Sequence, residues 1–188
     1  MAKILSSCVA DDLTYIAERY NLLAPTHFSG RPGRAMTDSI HLLMKFIIDA
    51  WASKEGFMSL FLLDIKAAFP SIVTNKLLHN LYAAGIPQKY INWYKCCLNN
   101  RSTFFMFNDY QSHPFNVING INQGCPLSLI AFIFYNSKLL NIAHPNLRKE
   151  ELSLGFINNI VLVVKGSSYE TANNKLKQMM ECPGRALN

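Results

Sequence analysis

Apolar residues recur along this chain in blocks whose period changes from helical to extended and back. Val9, Leu13, Ile16, Ala17 and Tyr20 share helical spacing and predict a helix over 11–23. Residues 24–35 hold two Pro and two Gly and read as a loop. Met36, Ile40, Leu43, Met44, Ile47, Ile48 and Trp51 form one stripe, predicting an amphipathic helix over 36–51 that Thr37 or Asp38 can cap. Residues 57–65 are almost continuously apolar without alternation, the pattern of a strand covered on both faces in the middle of a sheet. Helices are predicted over 75–84 and 88–98, split by Gly85-Ile86-Pro87. The runs 102–107 and 113–118 flank a turn at 108–112 and predict a hairpin. A helix over 126–142 follows a Gly-containing loop. Residues 154–164 form a second hairpin, with Asn158-Asn159 between its apolar arms. The last helix spans 167–181, with Tyr169, Ala172, Leu176 and Met179 or Met180 on one side, and Cys182-Pro183-Gly184 ends it. This order predicts an α+β domain with a mostly antiparallel sheet backed by helices.

Composition narrows the class. Half of the residues are hydrophobic and 16% are charged, which supports a real core and argues against disorder. No signal peptide follows Met1, and the longest clean apolar run, 129–135, is too short for a bilayer. The expectation is a soluble intracellular protein, in nucleus or cytoplasm, with no membrane contact and no evident protein partner. Cys8, Cys96, Cys97, Cys125 and Cys182 lack zinc-type spacing and read as reduced, mostly buried thiols. Between residues 65 and 149, eight basic residues face one acid, a balance of +7 that exceeds the whole-chain +6. That middle suits a polyanion partner. A solvated lysine surface accounts for it equally well.

The candidate chemistry lies in three short segments. Asp64 ends the run 58–63 and continues as Ile65-Lys66-Ala67-Ala68-Phe69. Downstream comes Asn122-Gln123-Gly124-Cys125-Pro126-Leu127-Ser128, and upstream Phe28-Ser29-Gly30-Arg31-Pro32-Gly33-Arg34 precedes Thr37-Asp38-Ser39. In this order, with the hairpin after them, they resemble the reverse transcriptases of non-LTR (LINE-type) retrotransposons over most of the chain. The resemblance implies a right-hand polymerase fragment with an antiparallel palm sheet backed by helices. Fingers would fall roughly at 1–56 and 74–120, and palm at 57–73 and 121–188. The chain would begin part-way into the fingers and stop before the primer-gripping region, without a thumb.

Polymerases join a 3′ hydroxyl to a nucleotide α-phosphate using two divalent ions, and magnesium favours carboxylate oxygens. In the resembled family an Asp-Asp hairpin tip and an upstream Asp hold those ions. Here Asp64 remains, and Asn158 and Asn159 stand where the two tip carboxylates are lost. Mg2+ is the cofactor the resemblance implies, and the expectation is that Asp64 alone holds it weakly or not at all. Asn tolerates positive φ in tight turns, so the hairpin can survive the change. The nearest spare acids do not help: Asp109 sits in its own turn, and Glu150 and Glu151 flank a different strand.

The resemblance also assigns nucleotide or template contacts. Lys66 lies in the first motif. Phe69 would be a steric gate against a ribose 2′-OH, or else an ordinary core Phe. Gln123 would hydrogen-bond nucleotide or template, and Gly124 would allow close backbone approach. Leu129 stands where the family usually has a Pro. Arg31 is placed first, and Arg34 second, against a triphosphate or template backbone. The implied partners are RNA/DNA template-primer and dNTP. Four readings follow: an inactive polymerase remnant, a non-catalytic RNA- or DNA-binding module that keeps a basic groove, a polymerase with unusual ligands, or a fragment that does not fold stably alone.

Overall fold

A computed structural model describes residues 2–52, 56–143 and 150–181. They form two compact units, one from residues 1–16 and 67–135 and one from 17–66 and 136–188. Residues 17–52 join the unit that holds the main sheet, because helix α2 (Met36–Ala52) packs on its strands.

The first unit is mainly helical. Helix α1 (Ala2–Arg19) starts well before the expected position and stops earlier. The stop has a clear cause in Asn21, which takes φ 51. Leu22 N–H then reaches Ala17 O at 3.0 Å, and Asn21 N–H reaches Glu18 O at 3.3 Å. This is a left-handed cap with Asn in the place of Gly. Gly85, at φ 83, ends helix α3 (Thr74–Ala83) in the same way, and helix α4 (Gln88–Leu98) follows Pro87, as the sequence leads one to expect. Leu77 and Leu81 of α3, and Ile91, Tyr94 and Leu98 of α4, are buried at helical spacing. Helix α5 (Pro126–Leu140) is apolar on every side, and Leu127 and Ile130 to Phe134 are all buried.

The expected hairpin forms, in broken pieces. Strand β2 (Ser102–Thr103) pairs with β5 (Phe115–Asn116), and β3 (Met106–Phe107) pairs with β4 (Tyr110–Gln111). The turn closes at Asn108 with φ 47.

The second unit holds a three-stranded antiparallel sheet. Its order is β1 (Phe57–Asp64), β7 (Asn159–Gly166), β6 (Glu151–Phe156). The sequence places 57–65 in the middle of the sheet, and the structure corrects this. Among the described residues strand β7 takes the centre, and β1 lies at the edge with Phe57, Leu60, Phe61 and Leu62 exposed. Both strands carry the same unbroken apolar pattern, so composition alone cannot rank them. On one face, helix α6 (Tyr169–Glu181) packs Ala172, Leu176 and Met179 against Ile160, Leu162 and Val164. Ser59 of β1 bonds Asn173 of α6 at 2.6 Å. Ser168 and Thr171 cap α6 reciprocally. Gly155 of β6 leaves room for Leu140 at the end of α5, because a Cβ there would stand 2.7 Å from Leu140 Cδ1.

Helix α2 covers part of the other face. Its buried residues are Ser39, Phe46 and Ala50, whereas Met36, Ile40, Met44, Ile48 and Trp51 of the apolar stripe are exposed. The helix is apolar over so wide an arc that periodicity does not say which part faces in. Asp38 does serve the helix start, accepting Ala35 N–H at 2.7 Å. The thiols also depart from expectation: Cys8, Cys96 and Cys97 are exposed and Cys125 is half-buried. Cys182 and the expected stop at 182–184 lie outside the described residues. Among the described residues no helix is long and apolar enough to cross a membrane.

Candidate functional site

The hairpin and the end of β1 build one corner of the second unit. The β1–β7 ladder runs unbroken from Phe57 opposite Gly166 to Asp64 opposite Asn159. The β6–β7 hairpin closes with Phe156 opposite Asn159, leaving Ile157 and Asn158 as a two-residue turn. Asn158 O accepts Ile65 N–H at 3.0 Å, locking the turn to the chain just past Asp64. Asp64, Asn158 and Asn159 are thus brought together. Asn158 Nδ2 donates to Asp64 Oδ1 at 2.6 Å. A carboxylate only accepts, which fixes the Asn158 amide with its N–H toward Asp64.

The turn's strain sits where the sequence argument does not put it. Neither Asn takes positive φ; Ile157 does, at 52°. A β-branched residue there is an outlier, since its Cβ crowds the backbone. Asn's tolerance of that region is used at Asn21, Asn100 and Asn108 instead.

This donor set does not fit a magnesium pair. Magnesium needs several hard oxygens in near-octahedral array. The corner offers one carboxylate, already accepting from an amide, and two amides. Among the described residues, no three His, Cys, Asp or Glu side chains group to hold a metal. The spare acids are elsewhere. Asp109 lies in the β3–β4 turn, and Glu150 pairs with Lys175 at 2.9 Å. Glu151 stands opposite Val164, five residues along β7 from Asn159, or about 17 Å at strand rise.

The basic loop is used differently from the expectation. Arg31 is 6% exposed. Its Nε and Nη2 donate to Glu18 at 2.6 and 2.9 Å, and its Nη1 to Ala24 O at 2.7 Å and His27 O at 3.4 Å. The hydrogen bond and charge of Arg31 hold the Glu18 carboxyl below its usual range. Arg31 therefore staples the loop, and its guanidinium is not turned toward solvent. Arg34 is less committed. It bonds Pro25 O and stands 5.7 Å over the Phe28 ring, half-buried. Lys66 is exposed in the turn after β1.

Phe69, Gln123 and Gly124 belong to the first unit. Phe69 stacks on Phe132 of α5 at 5.2 Å between ring centres. Its loop is held by Ile121 N–H on Phe69 O at 2.9 Å. Gly120 is required there, because a Cβ would meet Pro70 O at 2.8 Å. Gln123 and Gly124 are exposed, and Gly124 takes φ 78. They line a cleft of ≈ 450 Å³ with Lys3, Ser6, Asn122 and Cys125. The sequence reading missed Arg101. It ties the approach to that loop by donating to Gly120 O at 2.7 Å, Asn119 O at 3.3 Å and Asn122 Oδ1 at 3.4 Å. No local pattern marks it.

Residues 1–184 match the family described as Reverse transcriptase (RNA-dependent DNA polymerase). The chain belongs to the reverse transcriptase family. The recognition drawn from Asp64, the Gln123 loop and the hairpin is thereby borne out. One relative is a probable RNA-directed DNA polymerase from transposon X-element of Drosophila melanogaster. It is 26% identical over 136 residues, covering 72% of this chain and 15% of the relative. This reverse transcriptase chain thus spans a small part of that relative's length. Solved structures of Candida tropicalis telomerase share the fold. An apo form truncated from its C-terminal domain matches 95% of this chain and 36% of its own, with TM-score 0.65 and 10% identity. A complex with a fragment of telomeric RNA matches 94% and 30%, with TM-score 0.67 and 11% identity. The antiparallel sheet with its helices is accordingly a polymerase fingers/palm fold. Reverse transcriptases in general use Mg2+, which the Asp64 corner of this chain does not suit.

Proposed function

We propose that this chain is the remnant of a retrotransposon reverse transcriptase that does not polymerise. The observation that carries the reading is the hydrogen bond from Asn158 Nδ2 to Asp64 Oδ1. An amide N–H points at the one carboxylate where the family chemistry needs a second and third acid around two ions. Asn158 and Asn159 mark the positions of the lost carboxylates, and Asp64 is the one that remains. In this reading β1, α5 and the β6–β7 hairpin are palm elements, and the β2–β5 hairpin belongs to the fingers.

Primer extension on an RNA template, with Mg2+ and then Mn2+, tests this directly. The native chain is expected to add no nucleotide. Asn158→Asp/Asn159→Asp is expected to bind Mn2+ at least about tenfold more tightly by calorimetry, a change of about 1.4 kcal/mol. Affinity should return before activity does. Extension by the native chain would sink the proposal, and so would unchanged Mn2+ binding in the restored chain.

One observation favours the second reading, a non-catalytic module for RNA or DNA. In the first unit Lys76, Lys89 and Lys95 are exposed, and so are Phe105, Phe107, Tyr110 and Phe115. Exposed cations and exposed aromatic rings in one unit suit single strands, which bind by phosphate contact and base stacking. That reading requires affinity for single-stranded RNA that falls steeply with salt, beyond that of an equally basic control protein.

A further inference from the structure

Two thiols meet at one cleft of the first unit. Helix α4 sets Tyr94, Cys97 and Leu98 on one side, at the spacing of neighbours on a helix surface. Tyr94 and Leu98 are buried, and Cys97 stands exposed at the margin of that side. The turn before α5 holds Cys125, which is half-buried. Cys97 and Cys125 line the same cleft of ≈ 270 Å³, together with Trp93, Tyr94, Asn122 and Ser128. Both thiols are free. Cys96 points about 100° away round the helix and does not line the cleft.

Two further observations point to chemistry between the pair. Partial burial, then the charges of Cys96 and Cys125, pushes the Cys97 thiol up from its ordinary value, so the two sulfurs feel each other. Tyr94 is 4% exposed, and its hydroxyl has no partner at hydrogen-bonding distance. Burial, then the Cys125 charge, pushes this phenol up as well. It therefore stays protonated and keeps a donor for a thiolate.

The loop has room to re-seat. Gly124 takes φ 78, and Cys125 N–H reaches Asn122 O by a long bond of 3.3 Å. Its ends are anchored, by Ser128 Oγ on Asn122 O at 2.6 Å and by α5 itself. Movement is thus confined to Gln123, Gly124 and Cys125.

We propose that Cys97 and Cys125 form a reversible disulfide that ties this loop to α4. The oxidant is hydrogen peroxide. One thiolate attacks a peroxide oxygen, the O–O bond breaks, and water leaves behind a sulfenic acid. The second thiolate attacks that sulfur, the S–S bond forms, and the hydroxyl departs as water. In all, two thiols lose two electrons and two protons, and one peroxide becomes two waters. A disulfide that requires loop movement is strained, and strained disulfides are the readily reduced, regulatory kind. Oxidation holds the exposed Gln123 and Gly124 in place, and reduction releases them. Both thiols and the residues around them belong to the first unit, so the pairing needs no surface outside the described residues.

Peroxide treatment of the full chain, then tryptic digestion without reductant and mass spectrometry, is the test. Cleavage after Lys95, Arg101 and Lys138 leaves Cys97 in peptide 96–101 and Cys125 in peptide 102–138. The expected product joins these two peptides within one chain. Dithiothreitol is expected to abolish it and Cys96→Ser to retain it, whereas Cys97→Ser and Cys125→Ser each lose it. The Gln123 and Gly124 amides are expected to exchange at least about fivefold more slowly in the oxidised chain. If a variant misfolds, fragmentation of the native cross-linked peptide decides alone between Cys96 and Cys97. A cross-link through Cys96 would overturn the proposal. So would disulfides only between chains, oxidation to sulfinic acid with no cross-link, or unaltered exchange in the loop.

Discussion

At the hairpin corner, ladder register sets Asp64 opposite Asn159, and a neutral amide donates to the remaining acid. In the loop before α2, the cation of Arg31 is kept, and Glu18 and two carbonyls consume it. The first region preserves its backbone and has lost its charge. The second preserves its charge and hides it. Whether a charged motif residue is available to a ligand therefore depends on what its other neighbours do with it.

The largest expected effect breaks the loop side of this contrast. Arg31→Ala should cost about 3 kcal/mol, because it removes a buried ion pair and leaves two carbonyls without their donor. Arg34→Ala should cost under about 1 kcal/mol, since its contacts are peripheral. Urea midpoints at constant slope measure both. Equal losses would mean that the two arginines do not divide the work as their burial indicates.

A second prediction uses pH. Burial, helped by the nearby Arg31 charge, pushes His27 down from 6.5 to about 4. Folded His27 is thus neutral where the unfolded chain binds a proton. Its contribution is fully present above about pH 6.5 and is lost as pH falls toward 4. From pH 7 to 5 the loss should be about 2 kcal/mol. Glu18, whose carboxyl is also lowered by Arg31, adds its own loss as pH falls through the ordinary carboxylate range. His27→Gln should flatten the dependence, and an unchanged slope in that variant would assign it to other groups.

The smallest expected effect sharpens the hairpin side. Ile157 holds a left-handed backbone that Gly adopts without strain. Ile157→Gly should raise stability by about 1 kcal/mol, read again as a urea midpoint. A lower midpoint would show that the half-buried Ile157 side chain contributes more than its backbone costs.

Much of this was legible in the residues. Helices α3 to α6 and both hairpins follow from period, glycine stops and turn residues, because those signals act within a few residues. The family was legible too, since its motifs are short and ordered. The partner of each motif was not legible. Arg31 reads as a free cation until Glu18, thirteen residues earlier in a different element, closes on it. The positive φ of Ile157 follows from ladder register rather than from residue preference.

By itself the sequence determined the chemical inventory of the corner: one carboxylate, two amides, and the local elements that carry them. Only the tertiary structure decided that β7 rather than β1 is central among the described strands, and that most of the α2 apolar stripe stays exposed. It also decided that the Asn158 amide meets Asp64. Local preferences act over a turn or a strand. Which apolar face is covered depends on contacts between residues far apart in the chain, and two equally apolar strands differ only in those.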